Sequence, residues 1–225
     1  MAPSSPDAPK PWERRPATRS PYQLEKRDKR KAFLIICEGA NTEPLYFKSF
    51  PVGNAEVETF GLGASRTALV EQVIRLVSLD PEAARKEVWV VFDLDLDPGR
   101  ESLQMADFDQ AIRLAERRGY RVAWSNDAFE LWFLMHYEEA ADKPSRFDYY
   151  RRLGSIWGCH YEKRGKRRDF CRTRYRTLLE DGQADQTLAI RRAEALLSVQ
   201  TDIPCSELRP GTTVHILVQE LNRYL

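Results

Sequence analysis

Residues 88–97 read VWVVFDLDLD, and this stretch decides the architecture. Val88 to Phe92 is a continuous apolar run of strand length without polar alternation, so the pattern predicts a strand covered on both faces. The run stops abruptly at Asp93, and Asp95 and Asp97 follow at alternate positions. Ala32 to Cys37 (AFLIIC) is a second such run, and it stops at Glu38-Gly39. A third strand is predicted at Tyr120 to Trp124, breaking at Ser125-Asn126-Asp127, and a weaker one at Val57 to Phe60.

Helix signals lie between the strands. Asn41-Thr42-Glu43-Pro44 offers a cap, an early acid and a first-turn proline, with Leu45, Phe47 and Phe50 as the buried side. Gly61 to Ser65 turns into a helix carrying Leu69, Val73, Leu76 and Val77. Another is marked by Phe108, Ile112, Leu114 and Ala115 and ends at Arg117-Arg118-Gly119. Phe129 to Tyr137 is apolar enough to be a largely buried helix. Strand and helix alternate from residue 32 to 137, which predicts an α/β domain over 31–140 with a mainly parallel sheet flanked by helices. Helices are expected at about 146–157, 169–180, 186–199 and 212–224, as a C-terminal helical extension (141–225) packed on or beside the sheet domain. Residues 1–30 hold six prolines and many charges, the composition of a mobile tail.

Of the 225 residues, 42% are apolar and 31% charged, ordinary for a globular protein. No run of eighteen apolar residues and no apolar leader occurs, so neither a membrane span nor secretion is expected. Cys37, Cys159, Cys171 and Cys205 are scattered, which fits reduced thiols in a cytoplasmic protein. Cys159-His160 and Cys171 lack the second close pair that a zinc site needs. Net charge is only +1, but Lys163 to Arg176 carries eight Lys or Arg in fourteen positions.

All strands of a parallel sheet point one way, so Glu38 and the Asp93, Asp95, Asp97 series arrive at one edge, where open α/β sheets bind ligands. An acid at a strand end is ordinarily a solvated loop residue. Two buried strands ending in carboxylates crowd negative charge, and a hard cation such as Mg²⁺ or Mn²⁺ would neutralise it. In an extended D-x-D stretch Asp93 and Asp95 share a face and can address one ion. Asn126 and Glu130 follow the third strand to the same edge; Glu130, set among apolar residues, requires a partner, a cap or a place at the metal. His136 reads more simply as a satisfied core imidazole than as a catalytic base.

The segments ICEGANTEPLYF, VWVVFDLDLD, SNDAFELWFLMHY and TTVHILVQEL resemble the RloB-like family associated with bacterial anti-phage and restriction loci. The resemblance covers roughly Lys31 to Leu225 and implies a Toprim-like domain. It also implies Glu38 as a proton-transfer residue that helps hold metal, Asp93 and Asp95 as the metal-binding pair, and Asp97 as their extension. Glu43 falls at a family position that supports this set. Asp127 departs from the pattern, where a proline is expected after the asparagine.

The basic run, Lys163, Arg164, Lys166, Arg167, Arg168, Arg172, Arg174 and Arg176, is interleaved with Tyr161, Phe170 and Tyr175, a composition suited to phosphates and bases, although most charge runs are solvated faces. Lys163 could alternatively steady a phosphate at the metal edge, and Arg66 at a helix start is a weaker phosphate contact. The expectation is a Mg²⁺-dependent endonuclease acting on DNA or RNA in antiviral defence or abortive infection, with Glu38, Asp93, Asp95 and Glu130 catalytic. The resemblance also implies a separate ATPase subunit, and no G-x-x-x-x-G-K-S/T loop occurs in this chain. A silent nucleic-acid-binding or effector-docking subunit, or a nucleotidyl transferase using the same metal, are the alternatives; a homo-oligomer is left open.

Overall fold

A computed structural model describes residues 30–140, 144–198 and 203–225; the expected tail at 1–30 lies, but for Arg30, outside the described residues. Five strands form one sheet in the order β2-β1-β3-β4-β5. They are β1 (Lys31–Cys37), β2 (Ala55–Gly61), β3 (Glu87–Asp93), β4 (Arg121–Asn126) and β5 (Gly211–Thr212). The first four run parallel, and β5 pairs antiparallel with the end of β4. The α/β class and the mainly parallel sheet read from the sequence are thus the observed ones.

The continuous apolar runs are explained by the two faces of the sheet. Phe33, Ile35, Cys37, Trp89, Val91 and Ala123 point into one core, and Leu34, Ile36, Val88, Val90, Phe92 and Trp124 into the other. The second core is closed by α2 (Arg66–Leu79) through Leu69, Val70 and Val73, and by α3 (Glu101–Arg117) through Phe108, Ala111, Ile112 and Ala115.

The first core is larger. It is covered by α1 (Thr42–Lys48), the fully buried α4 (Glu130–Met135), α5 (Arg146–Ile156), α6 (Tyr161–Arg164), α7 (Arg168–Cys171), α8 (Arg174–Glu180), α9 (Gln186–Ser198) and α10 (Val214–Asn222). Tyr149, Leu153, Tyr161, Tyr175, Ala189 and Leu217 join the same buried cluster as the strand residues. Lys31–Leu225 accordingly forms one unit.

Several element boundaries differ from the sequence reading, two of them for a visible local reason. The helix marked by Phe108 begins at Glu101, and Gln104 in its first turns hydrogen-bonds to the Asp95–Asp97 loop. The single helix expected at 169–180 is two, α7 and α8. The Phe170 carbonyl, which a continuous helix would offer to the Arg174 N–H, instead accepts from the Thr173 hydroxyl and Arg174 Nε. The last helix starts at Val214, not 212, because Thr212 lies in β5 and its hydroxyl donates to the Trp124 carbonyl at 3.0 Å.

The buried Trp132 indole donates to the Tyr46 hydroxyl at 2.8 Å, joining α4 to α1. Tyr46→Phe leaves that N–H without an acceptor and should cost ~1–3 kcal/mol. Tyr46→Ala, which also opens a cavity, should cost ~3–5 kcal/mol. Urea denaturation checks both; equal stability of wild type and Tyr46→Phe would show that the bond contributes nothing.

Candidate metal centre

Register brings the acids together. Cys37 pairs with Val91 and Asp93 with Ser125, so β1, β3 and β4 end at nearly one level. Glu38 follows β1, its N–H bonded to the Val91 carbonyl, and its Oε2 accepts from the Asp93 N–H at 3.4 Å. Asp93 is the last residue of β3 and is buried. Its Oδ2 accepts from the Phe129 N–H at 2.9 Å, while Oδ1 has no hydrogen-bond partner. Glu130, the first residue of α4, is 0% exposed. Its Oε1 accepts from the Tyr161 hydroxyl at 3.0 Å and faces Lys166 Nζ at 3.2 Å; Oε2 is unpartnered. Glu43, in the first turn of α1, is buried with Oε2 likewise unpartnered.

The acids perturb one another. Burial first, then Glu43, Asp95, Glu130 and Glu38, hold the Asp93 carboxyl well above the usual carboxylate range. Burial pushes Glu38 up to about 7, with Asp95 adding to the rise and Arg66 opposing it. Glu43 is raised by burial, with Lys166 opposing. Lys166 is raised, chiefly by the Glu130 charge, although its side chain is 56% exposed.

The D-x-D stretch is not extended throughout, as the sequence reading assumed. Asp95 has a φ of 50°, in the left-handed region that short acidic side chains tolerate. Its carboxylate turns to Arg146, which bridges Asp95 Oδ1 and, at 2.9 Å, Asp97 Oδ1. Gln104 holds the other side of the loop, accepting from the Asp97 N–H at 2.8 Å and donating to the Asp95 carbonyl and to Asp97 Oδ2. Arg146 and Gln104 together keep the half-exposed Asp97 carboxyl below its usual range.

Asp127, which interrupts the expected motif, braces this loop. Its carbonyl accepts from the Asp95 N–H at 3.0 Å, and its two carboxylate oxygens accept from the N–H groups of Leu96 and Arg146. Asn126 is buried and donates to the Ser206 carbonyl at 3.0 Å. Arg66 pairs with Asp107 at 3.1 Å and donates to the Leu94 carbonyl at 2.6 Å, which fixes the loop. His136 is buried, bonded through Nδ1 to the Trp132 carbonyl, and burial lowers it to about 4, so it stays neutral.

The basic run divides. Lys163, Arg164, Arg167, Arg168, Arg172 and Arg176 are exposed. Lys166 turns inward to Glu130, and Arg174 is half-buried with its guanidinium 3.8 Å from the Phe170 ring centroid. Arg146 and Gln104 were not singled out by sequence reasoning, and Asp127 was noted only as a departure from the motif; nothing local in the chain marks their roles.

A metal is implied by the resemblance, and the donor chemistry suits one. Glu38, Asp93 and Glu130 offer hard oxygens, and the unpartnered buried oxygens of Asp93, Glu130 and Glu43 are acceptors in want of a cation. In the present arrangement no three acids, histidines or cysteines among the described residues converge on one ion position. The two inward cations, Arg146 and Lys166, hold Asp95, Asp97 and Glu130 instead.

The family model of the RloB-like proteins matches residues 33–221, which include Glu38, the acidic loop and Glu130. The chain belongs to the RloB-like family. No curated protein and no solved structure matches it significantly. Among the described residues of this RloB-like chain, no helix is long and apolar enough to cross a membrane.

Glu38 keeps its proton to about pH 7 in the folded chain, against 4.5 ordinarily. Between these limits the folded state binds the additional proton, so metal-free protein should lose stability as pH rises from about 4.5 to about 7. The Glu38 share is ~3 kcal/mol at most. In EDTA, Glu38→Gln should flatten the dependence of urea-derived stability on pH; an unchanged slope would contradict the shift.

Proposed function

We propose that this chain is a cytoplasmic Mg²⁺- or Mn²⁺-dependent nuclease of the Toprim type that hydrolyses phosphodiesters of DNA or RNA. The observation that carries the reading is Asp93, a buried carboxylate at the end of a central strand, with one oxygen unpartnered and four other acids around it. Asp93, Asp95 and Glu38 would hold the ion, with Glu130 and Asp97 beside them. A divalent cation bound there supplies polarisation of a phosphoryl oxygen and a more acidic water.

The chain's own groups complete the chemistry. Glu38 has a pKa of about 7 in the metal-free chain, and a cation on the neighbouring acids would favour its ionised form, able to accept a proton. Lys166 presents an ammonium to the same acids and is suited to steady negative charge on the phosphate. Arg146 holds Asp95 Oδ1, and its withdrawal would leave both oxygens of that carboxylate to the ion and a guanidinium beside the site. The exposed Lys163, Arg164, Arg167, Arg168 and Arg172 would bind the strand through its phosphates. Membership of the RloB-like family, together with the resemblance in the motifs, supports a role in bacterial anti-phage defence under a separate ATPase subunit.

A second reading, a silent docking or nucleic-acid-binding subunit, is favoured by one observation: Arg146 and Lys166 already neutralise much of the acidic set without metal. The two readings part on Asp93→Ala. The nuclease reading expects metal-dependent cleavage to fall by at least about a hundredfold in a chain that stays folded by circular dichroism, the lost acceptor of the Phe129 N–H costing ~1–3 kcal/mol of stability. Cleavage of DNA and RNA that survives the substitution would remove Asp93 from the chemistry. Because ligating acids must be ionised, Mg²⁺ should raise the wild-type midpoint more at about pH 8 than at about pH 5. Equal increments at both pH values, read by differential scanning fluorimetry, would count against a carboxylate site.

A further inference from the structure

Beside the carboxylates lies a cleft of about 310 Å³ between α5 and the start of α6. Phe147, Tyr150 and Tyr161 give it aromatic walls, and Arg151, His160 and Glu162 give it a polar rim. Gly154 allows the walls to approach, since a Cβ there would stand 2.8 Å from the Cys159 carbonyl oxygen. The volume is at the small end of the ~300–1,000 Å³ usual for ligand pockets, room for one heterocycle and not for a duplex.

Its back wall belongs to the carboxylate centre. Tyr161 donates its hydroxyl to Glu130, and Lys166 Nζ sits 5.7 Å from the Tyr150 ring centroid while it faces Glu130. The charges of Glu130, Lys166, Asp95 and Asp93 all act on the Tyr150 hydroxyl. A ligand in the cleft is therefore separated from the acids by one layer of side chains. Phe147, at the mouth, is 58% exposed, and the Arg146 guanidinium lies 5.4 Å from its ring centroid. Its ring lies edge-on to Tyr150, at 6.0 Å and 83°. Arg151 on its rim is exposed, and so are Lys163 and Arg164, which follow Tyr161 and Glu162 on α6.

We propose that this cleft takes an unpaired nucleobase, so that the substrate of the carboxylate centre is a single-stranded or extrahelical nucleotide segment. This rests on the nuclease reading above. Exposed aromatics stack on any base, the polar rim can meet a base edge, and the exposed cations attract the flanking phosphates. A base paired and stacked within a continuous duplex cannot enter such a cleft without being flipped out.

The test is fluorescence anisotropy of labelled ten-nucleotide probes on the full chain, with Ca²⁺ replacing Mg²⁺ so that strands stay intact. The probes are oligothymidine, oligouridine, a blunt duplex and a deoxyribose-phosphate strand without bases. Wild type should bind oligothymidine or oligouridine about tenfold more tightly than the base-less strand. Phe147→Ala should lose most of that preference and Phe147→Trp should restore it. Equal affinity for all four probes, no binding of either single strand, or a preference that survives Phe147→Ala would overturn the proposal. The same probes with Mg²⁺ separate it from the nuclease reading. A Phe147-dependent preference with no cutting keeps the cleft and removes the nuclease, whereas Asp93-dependent cutting without base preference does the reverse.

Discussion

Mutual repulsion among buried acids at the end of a parallel sheet is the constraint on which the surrounding structure depends. Glu38, Glu43, Asp93 and Glu130 arrive from β1, α1, β3 and α4, with the part-exposed Asp95 on the loop after β3, and burial of the inner acids leaves water little part in separating their charges. Such a set persists only if protons, hydrogen-bond donors or cations compensate it. All three are present. Raised carboxyls keep protons, the Phe129 N–H and Tyr161 hydroxyl donate, and Lys166 and Arg146 supply positive charge.

This compensation explains the otherwise irregular region after residue 144. Asp148 accepts from both the N–H and the hydroxyl of Ser145, which starts α5 at Arg146 and delivers its guanidinium to Asp95 and Asp97. The break between α6 and α7 delivers Lys166 to Glu130, with the Lys166 carbonyl accepting from Asn41 beside α1. The helices after the sheet are thus part of the carboxylate centre as well as its cover.

The strands and the edge where the acids meet were legible because they depend on local patterns: apolar runs of strand length, each ending in an acid. The partners of those acids were not. Arg146 lies fifty-one residues from Asp95, and Lys166 sits in a basic run that reads as a surface. Asp127 looked like a flaw in a motif, and only the fold reveals that it holds the N–H groups of Leu96 and Arg146. The left-handed turn at Asp95 was hidden for the same reason, since it is imposed by those contacts and not by its sequence neighbours.

The most direct measurement of the central claim is the anomalous difference map of a crystal soaked in Mn²⁺. The account expects a peak bonded to Asp93, with Arg146 withdrawn from Asp95. A well-occupied Mn²⁺ elsewhere, with Asp93 unliganded and Arg146 still on Asp95 and Asp97, would contradict it.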